Sequence, residues 1–159
     1  MIRILHRENG AHVFTFEYRL DNRLRLSNVT LTEKMLEKAV EVFEKQTDTD
    51  LRDFCAMIDE DGTLTVLVEP FGTAQPLPDA RERSRLMEKA LFQICPAYAA
   101  ARESNDVPAA KVRVLEPETH LLYRDRRMFQ EKMAPDQVKP IRVLNNLENK
   151  KFFIGLSVD

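Results

Sequence analysis

The sequence predicts an α+β fold, a mostly antiparallel β-sheet with about three helices packed on it. Three observations carry this expectation. Apolar and polar residues alternate from Phe14 to Leu20 and again around 53–68, the period of a strand. After Thr30, Asp79 and Thr119 the apolar residues recur every three or four positions, the period of a helix lying on a core. The strand-like runs are joined by short turns, which suits antiparallel partners.

In chain order, Ile2, Ile4 and His6 fit a short strand closed by the turn residues Asn9 and Gly10. Phe14, Phe16, Tyr18 and Leu20 then share one side of a strand, with Thr15, Glu17 and Arg19 on the other. Asp21 and Asn22 both tolerate positive φ, so a hairpin is expected there, with Leu24 and Leu26 on its return strand. Thr30-Leu31-Thr32-Glu33 has the spacing of a capping box, in which hydroxyl and carboxylate satisfy free amides at a helix start. Leu31, Met35, Ala39 and Phe43, with Leu36 and Val40 beside them, form the buried stripe of that first helix, to about Gln46. Residues 53–58 and 63–68 read as a second hairpin, central to the sheet. Its turn, Asp59-Glu60-Asp61-Gly62, is read as solvated turn formers rather than metal ligands.

A proline-rich loop from Pro70 to Pro78 follows, and Asp79 caps a second helix. Leu86 or Met87, Ala90, Leu91 and Ile94 should face inward, leaving Arg81, Arg83, Arg85 and Lys89 in water. Pro96 kinks the chain, and Ala97 to Arg102 continue helically for a turn or two. Lys111 to Leu115 is a strand with Val112 and Val114 inward; Thr119 then caps a third helix with Leu122, Phe129 and Met133 on one face. Beyond the Pro135 loop, Ile141 to Leu144 form a last short strand. The tail Phe152-Phe153-Ile154-Gly155-Leu156 is too apolar for a solvated appendage. It either docks on the body or forms an interface, with a partner domain or in a homo-oligomer.

At 159 residues the simplest organisation is one domain, 1–159, large enough for a real core. Net charge is −2 with acids and bases interleaved, and the densest basic run, Arg124-Asp125-Arg126-Arg127, is already interrupted; nucleic-acid binding is not expected. No apolar run approaches the ~20 residues of a spanning helix, and the N-terminus lacks a signal peptide's apolar stretch, so no membrane partner is expected and the cytoplasm is the default. Cys55 and Cys95 show neither metal nor redox spacing and read as small buried hydrophobes. His6, His12 and His120 have no carboxylate or cysteine at ligand spacing, so no metal site is expected.

ATP-using sites need backbone amides close to phosphate, which in sequence means clustered glycines before a helix. Gly10, Gly62, Gly72 and Gly155 are all isolated. There is no nucleophile elbow and no zinc-hydrolase helix either. The chain by itself therefore holds no complete active site and no cofactor of its own. What remains is Lys139, pushed into an extended conformation by Pro140 at the end of a loop. It is either a mobile point charge for a carboxylate or phosphate on another domain, or a solvent lysine at a strand start.

Residues 86–144 resemble the C-terminal domain of the auxin-conjugating acyl-acid amido synthetases of plants and their bacterial relatives. The resemblance rests on Tyr98-x-x-x-Arg102, the strand Val112-Arg113-Val114-Leu115, Pro117-x-Thr119 opening a helix, and Gln137-x-Lys139 followed by Arg142, in the family's order and spacing. The earlier hairpin, helix and hairpin fit the first half of that domain more loosely. Cys95 stands where the family has asparagine, and Glu118 and His120 replace a glycine and an aromatic around Thr119. Ala134-Pro135 replace glycines, and the family's Lys-x-Pro-Arg becomes Lys139-Pro140-Ile141-Arg142.

The resemblance implies an adenylate-forming ligase. A large N-terminal adenylation domain would bind ATP, Mg and an acyl acid, and this chain would be the small C-terminal lid, as part of the same protein or a split subunit. The acid would become an acyl-adenylate, which an amine attacks to give an amide. Lys139 would be the catalytic lysine that offsets charge at the reacting carboxylate and α-phosphate. Gln137 and Arg142 would position its loop. Tyr98, Arg102, Arg113 and Thr119 would be structural, Tyr98 and Arg102 holding helix to sheet. The other reading is a free-standing noncatalytic α+β domain that binds a protein partner or small ligand.

Overall fold

The computed structural model describes residues 2–8, 11–16, 22–72, 76–132, 134 and 138–158, with the backbone alone at 2–8, 11–16 and 131. Its elements are β1 (Ile2–Glu8), β2 (Ala11–Phe16), β3 (Arg23–Leu26), β4 (Val29–Thr32), α1 (Glu33–Thr47), β5 (Leu51–Ile58), β6 (Leu64–Pro70), α2 (Ala80–Ile94), α3 (Pro96–Glu103), β7 (Lys111–Val114), α4 (Thr119–Glu131) and α5 (Leu147–Gly155). The α+β class holds, with five helices among the described residues rather than about three. The strands form two hairpins, β1-β2 and β3-β4, and a three-stranded sheet ordered β5-β6-β7.

That sheet organises the molecule because it is covered on both sides. Phe54, Ala56, Leu64, Val66, Val68 and Val112 face one core with the buried stripes of α1, α2 and α3. Cys55, Met57, Leu67 and Leu115 face a second core with Tyr123 of α4, Leu144 and Phe153 of α5. Alternate residues of a strand point to opposite faces, so two cores turn a half-buried pattern into continuous burial from Phe54 to Met57 and from Leu64 to Glu69. β5 and β6 pair antiparallel, as expected, but β6 and β7 pair parallel. The α2–α3 connection makes this possible, since it carries the chain back to the end of the sheet where β6 began.

Two local expectations are corrected. β3 pairs not with β2 but with β4, in the register Leu24↔Leu31 and Leu26↔Val29. Ser27 takes a left-handed φ of 52° in the turn, and all four apolar residues of the pair reach the first core. β2 pairs with β1, while Asn9, Gly10, Tyr18, Leu20 and Asp21 lie outside the described residues. The helix α1 cap is Thr32, not Thr30, because Thr30 and Leu31 are used by β4. The Thr32 hydroxyl accepts from the Met35 amide at 3.3 Å.

Arg83 is also corrected, from wet face to buried. It occupies the same helical stripe as Met87, Ala90 and Leu91. β7 is an edge strand, and an edge leaves backbone groups unpaired. Arg83 Nε donates to the Val112 carbonyl at 3.2 Å and the Ser84 hydroxyl accepts from the Val112 amide at 3.1 Å, so α2 closes that edge. The final strand expected at 141–144 is a single bridge, Ala56↔Val143. The tail docks on the body as α5, with Phe153 fully buried. No helix among the described residues is long and apolar enough to cross a membrane.

Candidate functional site

Helix α4 is where sequence periodicity failed, and the reason leads to the site. Leu122 and Phe129 were expected inside but are 52% and 85% exposed; Met133 lies outside the described residues. Instead His120 and Tyr123 turn inward. The phase is set by Glu69, the last inward residue before Pro70 on β6 and fully buried. Its carboxylate accepts from the Glu118 amide at 2.7 Å and from the His120 amide at 2.9 Å. A side chain 49 residues upstream in sequence thus caps the helix that was expected to be capped by Thr119. Thr119 is the first helical residue and donates its hydroxyl to the Glu116 carbonyl at 2.7 Å. Glu118 itself has φ 67°, the left-handed region that glycine enters freely.

The same carboxylate lies 2.7 Å from His120 Nδ1. Burial alone would push the Glu69 carboxyl up, but the His120 ring and amide, with the Glu118 amide, more than offset this and hold it below the ordinary carboxylate range. Arg52 Nε lies 3.8 Å away as a further countercharge. His120 therefore does have a carboxylate partner, one that sequence spacing could not reveal. Its ring packs on Phe153 at 5.0 Å between centroids. The Cys55 thiol is pushed up by burial and by the nearby Glu69 charge, which leaves it an inert core group.

His120, Arg52, Arg124 and Lys139 line one cavity of about 310 Å³, together with Asp53, Tyr123 and Ile141. Lys139 is exposed at this cavity. The segment that carries it is fixed by Arg142, which forms an ion pair with Asp53, donates to the Phe54 carbonyl at 3.0 Å and stacks 4.5 Å over the Phe54 ring. Its backbone is tied in as well: Ala56 N donates to Arg142 O and Leu144 N to Ala56 O, both at 2.9 Å. Arg142→Ala should therefore cost about 2 kcal/mol and raise hydrogen exchange at the Ala56 and Leu144 amides, whereas unchanged exchange would remove it as the anchor. Lysine should rescue little, because it lacks the planar fork that serves two partners at once.

The remaining sequence candidates lie elsewhere. Tyr98 and Arg102 meet on Glu88 of α2, the tyrosine hydroxyl at 3.4 Å, and Arg102 also donates to the Val107 carbonyl at 2.9 Å. They join helix α3 to helix α2 and to the loop before β7. Burial pushes the Tyr98 hydroxyl well up, with the Glu88 charge adding to it, so it stays protonated. Arg113 sits on β7 opposite Leu67, at a different cavity lined by Asp59, Arg83 and Lys111. Gln137 lies outside the described residues. Sequence reasoning missed Glu69, Asp53 and Arg52; a carboxylate closing an apolar strand run before Pro70 was the one local signal.

Known proteins share this fold. Residues 34–148 match the GH3 family C-terminal domain. A solved structure of GH3.15 acyl acid amido synthetase superimposes with a TM-score of 0.74 at 19% identity, over 99% of this chain and 30% of that one. A second, AtGH3.15 acyl acid amido synthetase in complex with 2,4-DB, gives 0.69 at 18%, over 99% and 29%. The chain thus spans under a third of the length of these structures. No curated protein matches it significantly in sequence. On the match over most of its length, the chain belongs to the GH3 family, as a C-terminal domain.

Proposed function

We propose that this chain is the lid of an adenylate-forming ligase that joins an acyl acid to an amine in the cytoplasm. It works with an N-terminal adenylation domain, in the same protein or a separate one, that supplies the ATP, Mg and acid sites. The observation that carries this is Lys139, exposed at a cavity on a segment that Arg142 clamps to β5, within a GH3 C-terminal domain. Such a lysine can extend toward a reactant held elsewhere and offset the charge that builds as a carboxylate attacks phosphorus. Arg142 holds the segment to β5, and Gln137, outside the described residues, would serve the same loop.

The carboxylates for Mg belong to the partner. Asp59 here accepts from the Thr65 hydroxyl at 2.7 Å, and Asp61 from the Thr63 amide at 3.0 Å, so this turn uses its oxygens on its own hairpin. Leu122 and Phe129, exposed on the helix that lines the cavity, supply apolar surface for the second domain to cover.

The test combines this chain with the adenylation domain encoded in or beside its reading frame, ATP, Mg and carboxylic acids, and follows pyrophosphate release. Activity should need both parts, and Lys139→Ala should lower it on the order of 100-fold or more. Full activity in that variant would take the lysine out of the mechanism. Absence of any activity with the adjoining domain would favour the free-standing binding domain instead.

A further inference from the structure

The two ends of β5 open on different cavities. Its start, at Arg52 and Asp53, meets the Lys139 cavity, and its end, at Ile58, meets another of about 300 Å³. The segment 139–145 runs beside β5 from one to the other, tied on the way by the Ala56↔Val143 bridge. Leu24, Ile58 and Leu144 give the far cavity its apolar lining, and Arg23, Arg25 and Lys150 give it charge of one sign. No carboxylate lines it, and none among the described residues pairs with these three cations. Elsewhere arginines are matched with acids, Arg85 with Glu82, Arg102 with Glu88 and Arg142 with Asp53, and the chain as a whole carries −2. The positive charge at this cavity is therefore a local excess, and a concave site of one sign concentrates its field.

The cations are also held in place. Arg23 and Arg25 are two apart on β3, on the face opposite Leu24 and Leu26, and their backbone is paired with Thr32 and Thr30 of β4. Lys150 is half-buried and donates to the Ile58 carbonyl at 2.6 Å, which uses one of its three Nζ hydrogens and leaves two. It stands in the first half of α5, near the positive end of the helix dipole, where a cation is disfavoured and an anion favoured. We propose that this cavity binds a phosphate group, free or on a small molecule, between the Arg23 and Arg25 guanidiniums and the Lys150 ammonium. Three cations suit a phosphate, which carries close to two negative charges near neutrality, whereas a carboxylate would leave two of them uncompensated. The site is separate from Lys139 and does not require the ligase reading.

The test is NMR of the backbone amides of the full chain, titrated separately with inorganic phosphate, glycerol phosphate and acetate at constant pH and ionic strength. The amides of Arg23, Arg25, Asn145 and Lys150 should shift together and saturate with phosphate, and respond only weakly to acetate. Equal binding of the two phosphates assigns phosphate itself, and tighter binding of the ester assigns a small phosphomonoester. Arg25→Gln and Lys150→Gln should each weaken binding roughly tenfold, the loss of one charge-assisted contact. Lys139→Ala should leave it unchanged, which separates this site from the lid lysine. If Lys150→Gln loosens α5, Arg23→Gln on β3 replaces it as the second variant. Shifts that never saturate, acetate bound as tightly as phosphate, or midpoints unmoved in both arginine variants would overturn the proposal. Any of these would leave the lid reading standing, since pyrophosphate release with the adenylation domain is measured separately.

Discussion

Glu69→Gln should unfold roughly 6–12 °C below the parent protein at pH 7, the equivalent of about 3 kcal/mol. The substitution keeps size and shape but replaces an acceptor by a donor. One amide oxygen cannot serve the Glu118 amide, the His120 amide and the His120 ring together, and the new NH₂ faces a donor. A buried donor left unpaired costs about 1–3 kcal/mol, more where a charged bond is lost. The pH dependence follows from the direction of the shift. The Glu69 carboxyl is held below the ordinary range in the fold. An unfolded glutamate titrates near about 4.3, so the stabilisation is complete above that pH and is lost as pH falls through the lower folded value. Thermal or urea unfolding between pH 3 and 7 reads this out. The gap between parent and variant should be full near neutrality and narrow steadily in acid. A gap that stays constant with pH would mean that Glu69 acts by shape and not by charge.

Phe153→Ala should cost about 3–5 kcal/mol, the usual loss for truncating a fully buried phenylalanine. The ring fills the centre of the second core, against His120 at 5.0 Å, Tyr123 at 5.1 Å and Phe152 at 5.3 Å between centroids. That core lies under the Lys139 cavity, so its loss should also loosen the cavity wall. Urea unfolding with an unchanged slope and a lower midpoint would report the cavity cleanly. A loss under about 1 kcal/mol would show instead that α5 is held weakly, and would revive the tail as an interface with another chain.

The two substitutions differ in how far they could be foreseen. Phe153 was suspect from sequence because five largely apolar residues near a chain end must be covered by something. Whether the cover was this chain or another was left open, and the second core answers it. Glu69 gave almost no warning. Its partners lie 49 and 51 residues away, and no pattern within a strand predicts which helix start will arrive above its end. His120 likewise has no carboxylate at ligand spacing in the sequence, and its partner comes from β6.

Helix α4 makes the same point from periodicity. The spacing of Leu122 and Phe129 marks a helix, and a helix forms there. Its rotation about its axis, however, was decided by two backbone amides bonded to Glu69, which turned His120 and Tyr123 inward. Arg83 departs from expectation for a related reason: a residue type suggests water, while its place in the α2 stripe puts it beside the Val112 carbonyl of β7. In each case a polar group from a distant element outweighed the preference of the side chain itself.

What the residues settle locally is therefore the inventory and much of its chemistry. The central hairpin, the α1 and α2 helices, the Asp79 cap, the proline start of α3 and the buried cysteines all follow from neighbours within a few positions, where dihedral preference and period act directly. The order of motifs from Tyr98 to Arg142 likewise sufficed to indicate the family. Folding in three dimensions decided the rest: the parallel pairing of β7, the phase of α4, the second core that seats α5, and the Glu69–His120 pair behind Lys139. Period fixes which element forms but not how it is rotated or what meets it. Those choices go to buried hydrogen bonds and charges, whose partners are brought together only when the whole chain closes on its sheet.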